Sequence, residues 1–150
     1  MRERTTSFLL TVFLAGTALP HPGAADAQSA SASRNDEQAL TEFRNGNLEQ
    51  AVITLKQALE EAPSLLPAHV LVARVYLSVG EPAAAEDALK RARSLGADPE
   101  IIWPLRAEAL FAQAKYAELL ALTPQSGLGA EAQATVHFYR GQSTWRSPIS

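Results

Sequence analysis

The chain has 150 residues, of which 47% are hydrophobic and 19% charged, and its formal net charge is -3. These proportions are typical of one folded domain, and they exclude a disordered chain or a protein with several membrane spans. The slightly acidic balance lacks the basic surface that nucleic acid requires, so we expect no nucleic-acid partner. The chain has no cysteine, which excludes disulfides, thiolate metal sites and thiol nucleophiles.

The first 27 residues have the pattern of a signal peptide. Arg2 and Arg4 precede an apolar run at 8–19, and Ala-Asp-Ala at 25–27 matches the small-x-small pattern that signal peptidase recognises. The run is shorter than the roughly 20 apolar residues of a membrane helix. We therefore predict cleavage after Ala27, and an uncleaved N-terminal anchor is the alternative.

A Sec-type signal predicts a periplasmic or secreted protein that has no stable membrane span once the signal is cleaved. A lipid anchor would need a cysteine, so the chain is not expected to be a lipoprotein. Residues 28–34 begin with the small, polar sequence QSASAS. This composition predicts a flexible linker between the cleavage site and the folded domain.

From residue 35 onward the sequence repeats at an interval of 34 residues. A position suited to a turn recurs as Gly46, Gly80 and Ala114. Four further columns of small or aliphatic residues keep the same interval: Ala39 with Ala73 and Ala107, Ala51 with Ala85 and Leu119, Leu55 with Leu89, and Ala58 with Ala92. Five columns in one register indicate a structural repeat rather than a chance excess of alanine.

These columns resemble the tetratricopeptide repeat (TPR) family, in which each 34-residue unit is a helix–turn–helix. The resemblance covers residues 35–123, as repeats at about 35–65, 66–99 and 100–123. It implies an all-α fold, a right-handed solenoid of stacked helical hairpins that binds proteins. The small residues would let paired helices approach closely, and the glycines would suit left-handed turns. Since Ala114 replaces glycine in the third repeat, we expect a looser turn there.

The pattern predicts helices at about 35–45, 48–61, 65–79, 82–95, 99–113, 115–122 and 130–142. Local chemistry supports several of the boundaries: Asn35 with Gln38 and Asn47 with Gln50 as capping boxes, Pro82 and Pro99 in first turns, and Asp98 as an N-cap. Pro104 predicts that the fifth helix either starts late, near Trp103, or is kinked in its first turns.

Residues 124–150 are predicted to form a partial fourth repeat and an irregular tail. Thr123-Pro124 should end the second helix of the third repeat early, and 127–129 should form a loop. A fourth first-helix is expected from Ala130, with Gly141 in the column of Ala107, while 144–148 shows no helical pattern. One hypothesis is therefore that the chain is a truncated product of a longer array.

The sequence contains no catalytic or metal-binding pattern. His69 and His137 lie in different repeats without acidic neighbours at ligand spacing. No nucleophile elbow, phosphate-binding loop or zinc-protease motif is present. The sequence therefore predicts a protein that is not an enzyme and that uses no cofactor or metal.

The resemblance implies that the first helices of the repeats line a concave surface that binds a protein or peptide. By register this surface should carry Asp36, Leu40, Phe43, Val70, Arg74, Leu77, Glu108 and Phe111. Aromatic and arginine side chains are common energetic centres of interfaces. Phe43 and Phe111 are equally consistent with core positions, because apolar stripes on helices usually face a core.

Within this family, residues 75–120 resemble the opening repeats of TPR proteins from the PEP-CTERM/exosortase export system. The resemblance rests on Ala85, Glu86, Leu89 and Ala92, on the Gly-Ala-Asp-Pro link at 96–99, and on Lys115-Tyr116. The chain departs from those proteins in being short and in lacking cysteine. The resemblance implies an adaptor in the bacterial envelope, linked to exopolysaccharide or surface-protein export. The alternative is a regulatory or substrate-binding part of a larger envelope polysaccharide or peptidoglycan enzyme system.

Overall fold

The computed structural model describes residues 22–122 and 128–146. Within them the chain forms helices and no strand, and this confirms the all-α prediction. The helices are α1 (Pro22–Arg44), α2 (Leu48–Glu61), α3 (Leu66–Ser78), α4 (Pro82–Ser94), α5 (Pro99–Ala112), α6 (Tyr116–Ala121) and α7 (Ala130–Arg146). None of the described helices is both long and apolar enough to cross a membrane.

The helices stack as hairpins in sequence order. α1 packs on α2, α3 on α4, and α5 on both α6 and α7, while α3 also contacts its neighbours α1 and α5. Three core clusters follow this order, the first shared by α1–α3, the second by α3–α5 and the third by α5–α7. α3 and α5 therefore each contribute to two successive clusters, which is the nearest-neighbour packing of a solenoid.

The small-residue column is buried between packed helices. Ala39, Ala73 and Ala107 are fully buried, each in the cluster that its own repeat shares with the next. Ala51 and Ala85 on the second helices are buried in the same clusters. A larger side chain at these positions would have to push two helices apart, because protein interiors are close-packed.

The three hairpin turns have the same geometry. Gly46, Gly80 and Ala114 take positive φ angles of 79°, 81° and 56°. In each turn the N–H of the following residue donates to the carbonyl five residues back, as from Lys115 to Leu110 at 2.9 Å, which is the pairing of a Schellman motif. The expectation of a looser turn at Ala114 is wrong, because the same backbone hydrogen bond closes this turn and alanine takes the left-handed conformation there.

Of the three predicted N-cap residues, Asp98 is confirmed, whereas the predictions for Asn35 and Asn47 are wrong. The carboxylate of Asp98 accepts a hydrogen bond from the N–H of Glu100 at 2.9 Å, and Pro82 and Pro99 open their helices. Asn47 makes no side-chain cap hydrogen bond, because the turn at Gly46 holds it at φ -80° and ψ 62° rather than in the extended conformation of a cap. Asn35 lies inside α1 and therefore caps nothing.

The predicted flexible linker at 28–34 is helical, because α1 begins at Pro22. Ala32 is fully buried, and the hydroxyl of Ser31 and the amide of Asn35 both donate to the carboxylate of Glu61 at the end of α2. Packing against α2 therefore outweighs the weak helix preference of the serines. The predicted cleavage site after Ala27 lies within α1, and the apolar run at 8–19 lies outside the described residues.

Two further boundaries differ from expectation. α5 begins at Pro99, so Pro104 lies inside the helix and the late start near Trp103 is wrong. α7 continues to Arg146, although 144–146 was expected in an irregular tail. The reason is packing on the preceding repeat: Ser143 is fully buried, and the Arg146 guanidinium lies 5.3 Å from the centre of the Phe111 ring. Thr123, Pro124 and residues 147–150 lie outside the described residues.

Ala114→Gly should raise the free energy of unfolding by about 0.5–1 kcal/mol. A left-handed residue with a Cβ costs about 1–2 kcal/mol, part of which the greater backbone entropy of unfolded glycine offsets. Urea unfolding followed by circular dichroism measures the change. The control Ala134→Gly, at an exposed position inside α7, should lower the free energy by about 1 kcal/mol. An Ala114→Gly variant destabilised as much as this control would contradict the geometry of the turn.

Candidate protein-binding groove

The first helices of the repeats enclose two adjoining grooves. The α1/α3 groove, of about 340 Å³, is lined by Asp36, Leu40, Leu66, Pro67, Val70, Leu71, Arg74 and Ile101. The α5/α7 groove, of about 360 Å³, is lined by Arg74, Glu100, Ile101, Pro104, Leu105, Glu131, Ala132 and Thr135. Because Arg74 and Ile101 line both, the two form one continuous path over α1, α3, α5 and α7. We call this path the first-helix groove.

The α1/α3 part has an apolar floor. Val70 and Leu71 are buried there, and Leu40 and Leu66 are half-buried against the core clusters. Ile101 is 37% exposed at the junction of the two parts. An apolar floor with an exposed aliphatic side chain at its edge can bind an apolar side chain of a ligand.

Two charged side chains, Asp36 and Arg74, also line this part of the groove. Asp36 is half-buried, and one of its carboxylate oxygens, Oδ1, is shielded from solvent without a hydrogen-bond partner. Burial raises the pKa of Asp36, and the negative charge of Glu37 raises it further. Arg74 is exposed at the junction. The groove thus offers an unused acceptor at one end of its floor and a cation at the other.

The α5/α7 part is more polar. The carboxylate of Glu100 accepts a hydrogen bond from the backbone N–H of Gly129, which ties α5 to the residue before α7. Glu131 and Thr135 line the wall on α7. Together with Asp36, these carboxylates outnumber Arg74, so the first-helix groove carries a net negative charge.

The structure brings together four of the residues predicted for the concave surface and separates the others. Asp36, Leu40, Val70 and Arg74 line the α1/α3 part. Phe43 and Leu77 pack against core clusters instead. Phe43, Leu77, Glu108 and Phe111 line neither part of the first-helix groove.

Glu108 and Phe111 face α7. Burial raises the pKa of Glu108, and burial followed by the charge of Glu108 raises the pKa of Tyr139. The rings of Phe111 and Tyr139 have centroids 5.4 Å apart. Both residues therefore fix the contact between the third repeat and α7 rather than lining the groove.

One column of groove residues was missed by the sequence reasoning. Pro67, Ile101 and Thr135 all line the groove and lie 34 residues apart. The repeat interval could have found them, because a lining position in one first helix should line the groove in the next. Their dissimilar side chains hid the column.

A second missed feature is a buried polar cluster around Glu86. This residue on α4 is only 4% exposed, and its carboxylate accepts hydrogen bonds from Gln113 at 3.0 Å and Lys115 at 2.8 Å. Lys90 lies 3.2 Å from its other oxygen. Burial alone would raise the pKa of Glu86, but these three donors outweigh it and lower the pKa to about 2. The cluster joins the second repeat to the turn of the third.

The charged side chains of the first-helix groove, Asp36, Arg74, Glu100 and Glu131, lie on four different helices. Within residues 22–122 and 128–146, no group of three or more histidine or acidic side chains is placed to hold a metal ion. The charges of the groove are therefore distributed along the path, one on each of α1, α3, α5 and α7.

Residues 42–109 match the family model of the tetratricopeptide repeat. This segment runs from the end of α1 to the last turn of α5 and includes the turns at Gly46 and Gly80. Residues 42–109 therefore form tetratricopeptide repeats. Repeats of this family generally mediate protein–protein interaction, and the fold is typically non-catalytic. A comparison with curated proteins gave no match.

Glu86→Gln should lower the free energy of unfolding by about 1–3 kcal/mol at pH 7, because Lys115 then lacks a buried anionic partner. The folded pKa of Glu86, about 2, lies below its ordinary value of 4.5. The stabilisation is therefore complete above pH 4.5 and is lost as the pH falls towards 2. Urea unfolding of wild type and variant between pH 3 and pH 7 measures this.

The matched control is Asp87→Asn. Asp87 also pairs with Lys90, but its side chain is 80% exposed, so the change should be below about 0.5 kcal/mol. If the difference in the free energy of unfolding between wild type and Glu86→Gln stays constant down to pH 3, the carboxylate is not held ionised by its donors.

Proposed function

We propose that this protein is an exported adaptor that binds an extended segment of a partner protein in the first-helix groove. The observation that carries the proposal is the continuity of the groove at Arg74 and Ile101, which line both of its parts. A path across four successive first helices suits an extended chain better than a compact small molecule. Tetratricopeptide repeats generally serve protein–protein interaction, in keeping with this role.

The floor and the charges of the groove define the segment it would bind. An aliphatic or aromatic side chain would cover Leu40, Val70 and Leu71. A donor on the ligand, either a backbone N–H or a basic side chain, would pair with the buried oxygen of Asp36, whose lack of a partner costs free energy in the unbound state. The net negative charge of the groove favours a ligand with basic residues beside its apolar anchor.

The proposed location is the bacterial cell envelope. The support is the arrangement of Arg2, Arg4, the apolar run at 8–19 and the small-x-small site at 25–27. The resemblance of residues 75–120 to TPR proteins of the PEP-CTERM/exosortase system extends the proposal to exopolysaccharide or surface-protein export.

Binding in the groove is tested with two matched pairs of variants. Periplasmic extract is passed over the immobilised protein, and the affinity of each captured protein is then measured. Arg74→Glu and Ile101→Glu, both in the groove, should weaken binding about tenfold or more, because arginine and apolar anchors dominate interface energies. Arg91→Glu on α4 and Ile53→Glu on α2 make the same changes at exposed positions outside it, and they should leave the affinity within about twofold. Equal losses in both members of a pair would refute binding in the groove.

Export is tested by the mass of the protein recovered from the periplasm of an expressing bacterium. Cleavage after Ala27 predicts a mature chain that begins at Gln28. Ala27→Arg should block processing and accumulate the full-length precursor, because signal peptidase requires a small residue at this position. Ser33→Ala, an exposed position beyond the cleavage site, serves as the control and should be processed normally. Full-length protein found only in the cytoplasm would contradict the export proposal.

A further inference from the structure

The first-helix groove crosses one helix after another at a regular interval. It runs over α1, α3, α5 and α7 in that order, and each of these helices packs directly on the next one. Helices packed in this way lie roughly 8–10 Å apart. A ligand that follows the groove therefore meets a new helix about every 9 Å along its length.

The lining of the groove changes in chemical character from helix to helix. On α1 it contains the carboxylate of Asp36, one oxygen of which is shielded from solvent without a hydrogen-bond partner. On α3 it contains the buried side chain of Val70, and on α5 those of Ile101 and Leu105. On α7 it contains the exposed carboxylate of Glu131. The order is acidic, apolar, apolar and acidic, so a complementary ligand is basic, apolar, apolar and basic.

Two other charged side chains line the groove and have different roles. The carboxylate of Glu100 accepts a hydrogen bond from the N–H of Gly129, so it is engaged within the protein. The guanidinium of Arg74 takes part in none of the ion pairs found among the described residues. It lies at the junction of the two apolar steps and carries five N–H donors. Arg74 is therefore free to donate to backbone carbonyls of a ligand that lies across it.

A polyproline II helix has the spacing that this groove requires. It has three residues per turn and rises about 3.1 Å per residue, so every third side chain points the same way, about 9.3 Å apart. Side chains on one face of a β-strand are about 6.6–6.8 Å apart, so a strand would be displaced by about 2–3 Å at each successive helix. An α-helical ligand would use its carbonyls in its own hydrogen bonds. Polyproline II has no internal hydrogen bonds, which leaves its carbonyls available to Arg74.

We propose that the first-helix groove binds a segment in the polyproline II conformation that carries basic, apolar, apolar and basic residues at every third position. The two basic residues pair with Asp36 on α1 and Glu131 on α7. The two apolar residues cover Val70 and Ile101, and Arg74 donates to the carbonyls between them. This inference rests on the proposed function, because it assumes that the groove binds a protein segment, and it adds the conformation and the spacing of that segment.

Two synthetic peptides of equal composition test the spacing by isothermal titration calorimetry with the full chain. The period-three peptide, Lys-Pro-Pro-Leu-Pro-Pro-Leu-Pro-Pro-Lys, reads the same in both directions and so needs no assumption about ligand orientation. In the control, Lys-Pro-Pro-Pro-Leu-Leu-Pro-Pro-Pro-Lys, the two leucines point in different directions. The period-three peptide should bind about tenfold more tightly, because in the control one leucine misses its apolar site. Equal affinities would overturn the proposal, as would a period-three peptide that does not bind at about 1 mM.

A third peptide tests the conformation. Lys-Gly-Gly-Leu-Gly-Gly-Leu-Gly-Gly-Lys keeps the spacing of the period-three peptide but is flexible in solution. It should bind about fivefold more weakly or worse, because its backbone must be ordered on binding. A glycine peptide that binds as tightly as the period-three peptide would show that the polyproline II conformation is not what the groove recognises.

Charge reversal in the groove tests the register. Glu131→Lys should weaken binding of the period-three peptide about threefold or more, and exchanging one terminal lysine of the peptide for glutamate should recover most of this loss. Glu60→Lys makes the same change at an exposed position on α2, outside the groove, and should leave the affinity within about twofold. Equal affinities of the Glu131→Lys and Glu60→Lys variants would refute the placement of the basic residue on α7.

The failure of this proposal is distinguishable from the failure of the proposed function. If Arg74→Glu and Ile101→Glu weaken binding of a captured partner protein while the period-three peptide binds no better than its control, the groove binds proteins and the spacing proposed here is wrong. If those two variants leave the affinity of the partner protein unchanged, the groove is not its binding site and the proposed function itself is wrong.

Discussion

The close approach of two helices at a small side chain is the interaction on which the rest of the structure depends. Ala39, Ala73 and Ala107 are fully buried between the helices of successive repeats. Because their side chains end at Cβ, the paired backbones lie close enough for Leu55, Leu89 and Leu119 to fill the layer beside them. The Schellman turns at Gly46, Gly80 and Ala114 then fix the angle at which each second helix returns.

This arrangement gives α3 and α5 three different surfaces each. One packs on the preceding repeat, as Leu71 does in α3 and Leu105 in α5. A second packs on the same repeat's second helix, through the alanine column. The third faces the first-helix groove and carries Arg74 and Ile101. The side chains of the third surface are not needed for packing between the helices. They can therefore differ from repeat to repeat and can contact a partner.

The repeat interval predicted the fold, because packing demands recur at each step and leave small residues in register. Interactions that occur once could not be predicted in this way. Glu86 gave no signal of burial, since its partners Gln113 and Lys115 lie in the next repeat. The helical start of α1 was missed because its composition resembles a linker, while Ala32 and Ser31 are held by α2. Of the predicted concave residues, Phe43, Leu77, Glu108 and Phe111 share the right helices but face neighbouring helices.

The most direct test of close helix approach is to enlarge one alanine in its column. Ala73→Leu should lower the free energy of unfolding by about 1–3 kcal/mol or more, because the added atoms force α3 and α4 apart. Ala83→Leu adds the same atoms at an exposed position on α4, and it should change stability by less than about 0.5 kcal/mol. Urea unfolding of the two variants beside the wild type gives the comparison. If Ala73→Leu proved as stable as Ala83→Leu, the helices could not be packed at that residue, and the stacking described here would be wrong.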